Sequence, residues 1–77
     1  MKTEEIIKLV LEELARGEAK YPNWPTDTIH QAAIVNEESG ELIRAALNHW
    51  YHKESKEELR MEAIQTAAMA IRFLKNL

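Results

Sequence analysis

Oxygen-bearing side chains recur at helical spacing in two separate parts of this sequence. Glu38 and Glu41 stand three residues apart, and Glu62 and Gln65 repeat that spacing further along the chain. Residues three apart project from the same face of an α-helix. If the two helices pack together, four oxygen ligands can converge between them, and such ligands suit a hard cation such as Mg²⁺ that works on phosphates. The spacing therefore favours a divalent cation site.

The alternative is that these acids simply form a solvated helix surface, as an isolated Glu-x-x-Glu pair usually does. Against this, Ile34 and Ala45 fall in the same sector of the helix as the acids, so the acidic stripe is not a clean water-facing surface. Glu37 adds a further like charge one turn before Glu41. Partly buried carboxylates roughly 6 Å apart repel by about 3 kcal/mol, which favours a cation between them.

Size and composition limit the possible classes of protein. The chain has 77 residues, 45% of them hydrophobic, with two Gly, two Pro and no Cys, which indicates a single helical domain over residues 1–77. Its net charge of −3 predicts no general attraction to nucleic acid. The acidic start and the lack of a long apolar run predict neither a signal peptide nor a membrane span. We therefore expect a soluble, cytoplasmic protein.

Hydrophobic periodicity and capping residues predict an all-α fold with three helices, at about residues 3–16, 27–50 and 56–76. Thr3 is expected to cap the first helix and Gly17 to end it. The segment that follows contains both prolines and is predicted to be irregular. Thr26 or Asp27 is expected to cap the second helix, and Ser55 begins a Ser-x-x-Glu capping box for the third.

The third helix also predicts self-association. The run from Ala63 to Leu74 contains only three polar side chains, so its apolar positions cover well over half of the helix circumference. Such a helix needs burial on nearly all sides, which two neighbouring helices of a short chain cannot provide. We therefore expect a helical bundle completed by a homo-oligomer, with a dimer as the smallest unit.

Together, the acidic segments resemble a known family. Residues 37–42, Glu-Glu-Ser-Gly-Glu-Leu, followed by Glu62-x-x-Gln65, are similar to the Glu-Glu-x-x-Glu-Leu and Glu-x-x-Asp pattern of the MazG-like, all-α nucleoside triphosphate pyrophosphohydrolases. The resemblance covers roughly residues 22–74. It implies helical subunits joined as dimers or tetramers, and Mg²⁺-dependent hydrolysis of (d)NTP to a nucleoside monophosphate and pyrophosphate, with Mn²⁺ as a possible substitute.

The resemblance also implies roles for the matching residues. The proposed metal ligands are Glu38, Glu41, Glu62 and Gln65. The catalytic carboxylate would be Glu37 or Glu38, which would orient the attacking water or remove its proton. The chain departs from the family pattern at Gln65, where a neutral amide replaces Asp and should lower metal affinity. The alternative reading is therefore a catalytically inactive helical binding or assembly module with a MazG-like fold.

Three further residues are candidates for substrate binding. Trp24, in the proline-containing loop, could stack on a nucleobase or instead close the end of the bundle. His30 falls in the same sector as Glu37 and could meet the base or the phosphates, although a surface histidine is the simpler interpretation. Arg72 follows Gln65 by one heptad and could contact phosphate, or it could be a surface cation near the helix C-terminus.

Overall fold

The third helix lies between the other two and packs against both. The computed structural model describes all of residues 1–77, which form three α-helices and no strands: α1 at Thr3–Lys20, α2 at Thr28–His52 and α3 at Lys56–Lys75. Helices α1 and α2 each contact α3 but do not pack against each other. The predicted all-α architecture with three helices is therefore confirmed.

Helix α1 continues beyond Gly17 to Lys20, so its expected end at residue 16 is wrong. Gly17 does not have the left-handed backbone of a helix-ending glycine, because no glycine in the chain has a positive φ. It is buried against α3, where a Cβ would lie 3.6 Å from the terminal methyl of Met69. The helix ends instead at Tyr21, since the residue before a proline is disfavoured in the helical conformation.

The three helices begin close to the predicted residues, but only one of the predicted capping hydrogen bonds is present. Asp27 caps α2 as expected, and its Oδ1 accepts a hydrogen bond from the His30 amide at 2.8 Å. Thr3, by contrast, is the first residue of α1, and Lys2 occupies the cap position without a side-chain bond. Ser55 stands at the predicted cap position of α3, but its hydroxyl makes no capping hydrogen bond. Of these three starts, side-chain capping fixes only that of α2.

A three-residue connection, residues 53–55, joins α2 to α3. Lys53 has φ 55° and ψ 32°, and it is the one non-glycine residue with a positive φ. A left-handed residue at this position ends a helix sharply, and here it turns the chain so that α3 runs back along α2. The Glu38 and Glu62 segments are brought alongside each other by this reversal.

The apolar core is small and lies between α1 and α3. Val10 and Leu14 of α1 pack on Ala68 of α3, which is completely shielded from solvent. Partly buried hydrophobic residues surround this centre: Ile64, Ala67, Met69 and Ile71. The small side chains at Ala68 and Gly17 allow the two helices to approach closely.

Burial of α3 is incomplete within one chain. Ala63, Ala70 and Leu74 are exposed even though α3 is the central helix. The enclosure of this helix by a second subunit therefore stays a prediction. None of the three helices combines the length and the apolar character that a membrane-spanning segment requires.

The helical conformation of Gly17 gives a stability prediction. Glycine inside a helix costs about 0.5–1 kcal/mol relative to alanine, and the space at this position accepts a Cβ at ordinary contact distance. We expect Gly17→Ala to raise the free energy of unfolding by that amount, measured by urea denaturation. A loss of stability would instead indicate that Gly17 ends the helix or that α3 approaches too closely for a methyl group.

Candidate metal and phosphate site

Carboxyl groups from α2 and α3 come together where these two helices pack. Partial burial, followed by the negative charges of Glu62 and Glu41, raises the pKa of Glu38. Burial likewise raises the pKa of Glu62, with the charges of Glu41 and Glu58 adding to the effect and Arg44 opposing it. The acids predicted from the two separate sequence segments are therefore close enough to repel one another across the helix interface.

Glu62 carries an unsatisfied oxygen atom. Its Oε2 is shielded from solvent and has no hydrogen-bond partner. A shielded carboxylate oxygen without a donor is unfavourable, because it has lost its water and gained nothing in exchange. This oxygen is thus free to bind a cation or a proton.

Thr66 fixes the register of the two helices beside these acids. Its hydroxyl donates to the Glu62 carbonyl oxygen at 2.8 Å and lies 3.2 Å from the carbonyl oxygen of Glu38. The second contact joins α3 to α2 at the turn that carries the predicted metal ligand. A polar residue in the middle of the apolar third helix is explained by this contact.

The other acids of α2 lie nearer to solvent. Glu41 is exposed and forms an ion pair with Arg44. Glu37 is also exposed and has no ion-pair or hydrogen-bond partner among the side chains. Its charge contributes to the raised pKa of Glu38, although less than the charges of Glu62 and Glu41 do. Glu37 therefore lies at the edge of the cluster.

A cavity of about 250 Å³ lies beside the cluster, and all three helices contribute residues to its wall. Glu38 and Gln65 line it together with Arg72. Residues from α1 and the following loop complete its wall: Glu13, Arg16, Gly17 and Tyr21. Gln65 thus lies next to the same void as Glu38.

The contribution of α1 to this cavity was not predicted. Glu13 is half-buried, its charge raises the pKa of Glu38, and it pairs with Arg16 at 2.5 Å. The sequence contains a signal for this placement, because Glu13 follows the core residue Val10 by three positions and precedes Gly17 by four. An acid in register with a buried apolar face is placed to reach the interior of the bundle.

Arg72 is buried, with only 5% of its surface exposed. Its Nη2 donates to the Tyr21 carbonyl oxygen at 2.6 Å, and its Nη1 makes a longer contact of 3.4 Å with the Gly17 carbonyl oxygen. The guanidinium also stacks over the Trp24 ring, 4.6 Å from the ring centroid. The expected alternative of a surface cation is therefore wrong, because Arg72 ties the end of α1 and the loop to α3. Contact with phosphate stays a prediction.

The two other candidates for substrate binding occupy different surroundings. Trp24 is half-buried beneath Arg72, and its Nε1 is shielded from solvent without a hydrogen-bond partner. His30 is exposed near the start of α2, where its Nδ1 lies 3.9 Å from Oδ2 of Asp27. Trp24 is thus linked through Arg72 to the cavity, whereas His30 does not line it.

The acidic side chains are not arranged as a complete set of metal ligands. In the chain by itself, no three acidic or histidine side chains approach closely enough to hold a metal ion as a group. Glu41 is engaged with Arg44, while Glu38 and Glu62 face each other across the interface. The interface therefore gathers the charges that a cation would neutralise, without arranging them as a closed cage.

Comparisons with protein-family models, with curated proteins and with solved structures found no match to this chain. The resemblance to the MazG-like enzymes therefore stays a prediction that depends on residues 37–42 and 62–65.

The packing of Arg72 predicts a structural role that can be measured without a substrate. We expect Arg72→Lys to lower the free energy of unfolding by about 1–3 kcal/mol, because an ammonium group cannot reproduce the fork of donors or the flat stacking surface. Thermal and urea denaturation in the absence of nucleotide would measure the loss. Arg16→Lys, at an exposed ion pair, serves as the control and should change stability by less than about 1 kcal/mol. Equal stability of both variants with the wild type would contradict this role.

The raised pKa of Glu62 predicts that replacing its carboxylate with a neutral amide stabilises the fold, and that the size of this effect depends on pH. Because the folded state holds the Glu62 proton more tightly than the unfolded chain does, the ionised carboxylate opposes folding at neutral pH. In metal-free buffer at pH 7, we expect the Tm of Glu62→Gln to be higher than that of the wild type. The difference between the two Tm values should become smaller as the pH falls towards 5. Glu57→Gln, in the first turn of the same helix, should show no such gain. A Glu62→Gln protein less stable than the wild type at pH 7 would contradict the inferred repulsion.

Proposed function

We propose that this protein is a Mg²⁺-dependent nucleoside triphosphate pyrophosphohydrolase that cleaves (d)NTP to (d)NMP and pyrophosphate. The observation that carries the proposal is the meeting of Glu62 with Glu38 and Glu41 across the α2–α3 interface. There partial burial, followed by the neighbouring negative charges, raises the pKa of Glu38 and of Glu62, and one oxygen of Glu62 is left without a partner. The order and spacing of these acids in the sequence give the specific reaction class.

The donor set fits Mg²⁺ better than it fits a softer metal. All the proposed ligands present oxygen, and the chain contains no cysteine that would favour zinc. Glu38, Glu41 and Glu62 would hold the ion with the amide oxygen of Gln65, and Mn²⁺ could replace Mg²⁺. Binding would compete with the Glu41–Arg44 ion pair, which is exposed and therefore contributes little stability.

The side chains of this chain supply positioning and proton transfer. Partial burial and neighbouring negative charge raise the pKa of Glu38, which makes its carboxylate a better acceptor for a proton from an attacking water. Glu37, at the edge of the cluster, would orient that water. When bound, Mg²⁺ would neutralise the triphosphate charge and lower the pKa of the water.

The cavity beside the cluster is our proposed site for part of the nucleotide. Its wall contains Arg16, which is paired with Glu13, and Arg72, so two guanidinium groups lie next to the acids. Two of the Arg72 donors are taken by carbonyl oxygens, and its remaining N–H groups could reach a phosphate. Trp24 would then act through Arg72, by holding the guanidinium, and His30 would contact the substrate only at the periphery.

The same proposal includes a homo-oligomer, either a dimer or a tetramer. The apolar side chains of α3 that remain exposed, among them Ala70 and Leu74, support it. A short chain with a small core gains stability from a partner that covers such surface.

Metal titration followed by thermal melting tests the cation site. A ligand that binds only the folded state adds about 2.7 kcal/mol at one hundred times its Kd, which corresponds to a shift of roughly 10 °C or more for a domain of this size. We expect millimolar Mg²⁺ or Mn²⁺ to raise the Tm of the wild type and of Glu57→Gln, but not that of Glu62→Gln. No shift in the wild type would contradict the metal site.

Pyrophosphate release from a panel of canonical and modified (d)NTPs tests the reaction. Glu41→Gln should abolish turnover while leaving the helix content intact, because it removes a charged ligand from an exposed position. Gln65→Asp should increase metal affinity and turnover, because it restores the acid of the family pattern and adds one charge to the site. If neither the wild type nor Gln65→Asp releases pyrophosphate, although both bind metal, the protein is instead an inactive binding or assembly module.

A further inference from the structure

Helix α2 carries a second, largely apolar stripe, most of which faces away from α3. Its seven positions alternate in steps of four and three residues, which is the spacing of a helix that packs along a partner helix: Ile29, Ala33, Asn36, Gly40, Ile43, Leu47 and Trp50. All seven are exposed, with Ile29 at 83% and Trp50 at 78%. We call these residues the outer seam of α2. Only Asn36, at the edge of the seam, borders a groove that is shared with α3.

Gly40 lies in the middle of the outer seam, and nothing within the chain requires a glycine at this position. It lies within a long helix, has no positive φ, and no atom lies within 4 Å of the place where a Cβ would stand. A glycine there weakens the helix. Glycine at a helix surface is useful where another backbone approaches closely, so its position indicates the crossing point of a partner helix.

The chain exposes more surface than is expected for a folded protein of its mass, and the excess is about the area of one protein–protein interface. A folded protein of 8.9 kDa is expected to expose about 4,800 Å², whereas this chain exposes 5803 Å². The excess of about 1,000 Å² is close to the ~800 Å² that each partner contributes to a standard protein–protein interface. The total area leaves room for one interface of standard size, and the position of that interface is inferred from the residue pattern of the seam.

We infer that the outer seam pairs antiparallel with the outer seam of a second copy of this chain, with the two Gly40 residues at the crossing. Gly40 lies near the midpoint between Ile29 and Trp50, so a two-fold axis at Gly40 brings Ala33 and Leu47 into direct register and every other seam position to within one residue of a seam position of the partner. In this register Ala33 lies opposite Leu47 of the partner subunit. A small side chain thus meets a large one along the helix pair.

The charged residues beside the seam favour the antiparallel direction. Glu37 has no ion-pair partner in its own chain, and Arg44 has only the exposed pair with Glu41. The antiparallel register places Glu37 within one residue of the position opposite Arg44 of the partner subunit, and symmetry repeats the pair on the other side of Gly40. A parallel pair would instead set both charges beside small neutral side chains.

Sedimentation equilibrium of the full chain tests the location of the interface. The wild type should be a dimer at micromolar concentration, and Ile43→Glu should raise its dissociation constant by roughly thirtyfold or more, because it places a charge in the seam. Ile7→Glu is the matched control, since Ile7 is a similarly exposed isoleucine on α1, and it should leave the dimer unchanged. Circular dichroism would verify that both variants keep their helix content.

Gly40→Leu separates the effect on the interface from the effect on the helix. The chain has room for the side chain, and leucine is a better helix former than glycine, so the diluted, monomeric variant should melt at or above the Tm of the wild-type monomer. Its dimer should nevertheless be weaker by at least about tenfold, because the side chain keeps the two backbones apart.

Disulfide trapping tests the direction of the pair. The chain has no cysteine, so an introduced thiol reports its own neighbours alone. We expect a mixture of Ala33→Cys and Leu47→Cys proteins to form the mixed disulfide faster than either protein links to itself. Faster self-linking of Ala33→Cys would overturn the antiparallel register.

Two other results would overturn the inference as a whole. A wild-type monomer at micromolar concentration would assign the seam to a different protein. A dimer that resists Ile43→Glu but dissociates with Ile7→Glu would place the interface elsewhere. None of these measurements uses catalytic activity, so they are independent of the proposed hydrolysis.

Discussion

The packing of α3 against both of its neighbours is the constraint on which the rest of the structure depends. One side of α3 forms the core with α1 through Ala68, and another side holds Glu62 against α2. Thr66 fixes the second contact through the carbonyl oxygen of Glu38. The acids therefore cannot move apart freely to relieve their repulsion, because separation would disrupt the packing of two helices. A fold that holds like charges together in this way is stabilised by any cation that binds among them.

The two charged groups that reach the interior of this small protein, Arg72 and Glu62, differ in how well their neighbours satisfy them. At Arg72 the charge is fully supported, by two carbonyl oxygens and the face of Trp24, so it closes the end of the bundle where the proline-containing loop leaves α1. At Glu62 the charge is poorly supported, since one oxygen has no partner. The guanidinium of Arg72 is therefore satisfied by its packing, whereas the Glu62 carboxylate keeps an oxygen that can accept a proton or a cation.

The sequence predicted the helices well because periodicity and capping are local properties. It correctly gave three helices and offered Asp27 as one of two possible caps of α2, and it placed Glu38 and Glu62 on two helices that pack against each other. It failed at Gly17, where tertiary packing against Met69 gives glycine a different use from the one its helix-ending tendency suggests. It also missed Glu13 and the carbonyl contacts of Arg72, because these depend on how α1 docks, about fifty residues away in the chain. Whether the acids bind metal depends on distances of a few tenths of an ångström, which spacing along a helix does not determine.

The three-residue connection at Lys53 has a consequence for the order in which the chain acquires its structure. Helices α2 and α3 are neighbours in sequence, so their association closes only a short loop. Helix α1 reaches α3 only after the whole of α2 has been spanned, and it gains no contact with α2 in return. Since closing a longer loop costs more entropy, the α2–α3 hairpin is expected to form first and α1 to dock last. Amide hydrogens of α1 would then exchange with solvent through partial openings that leave the hairpin closed.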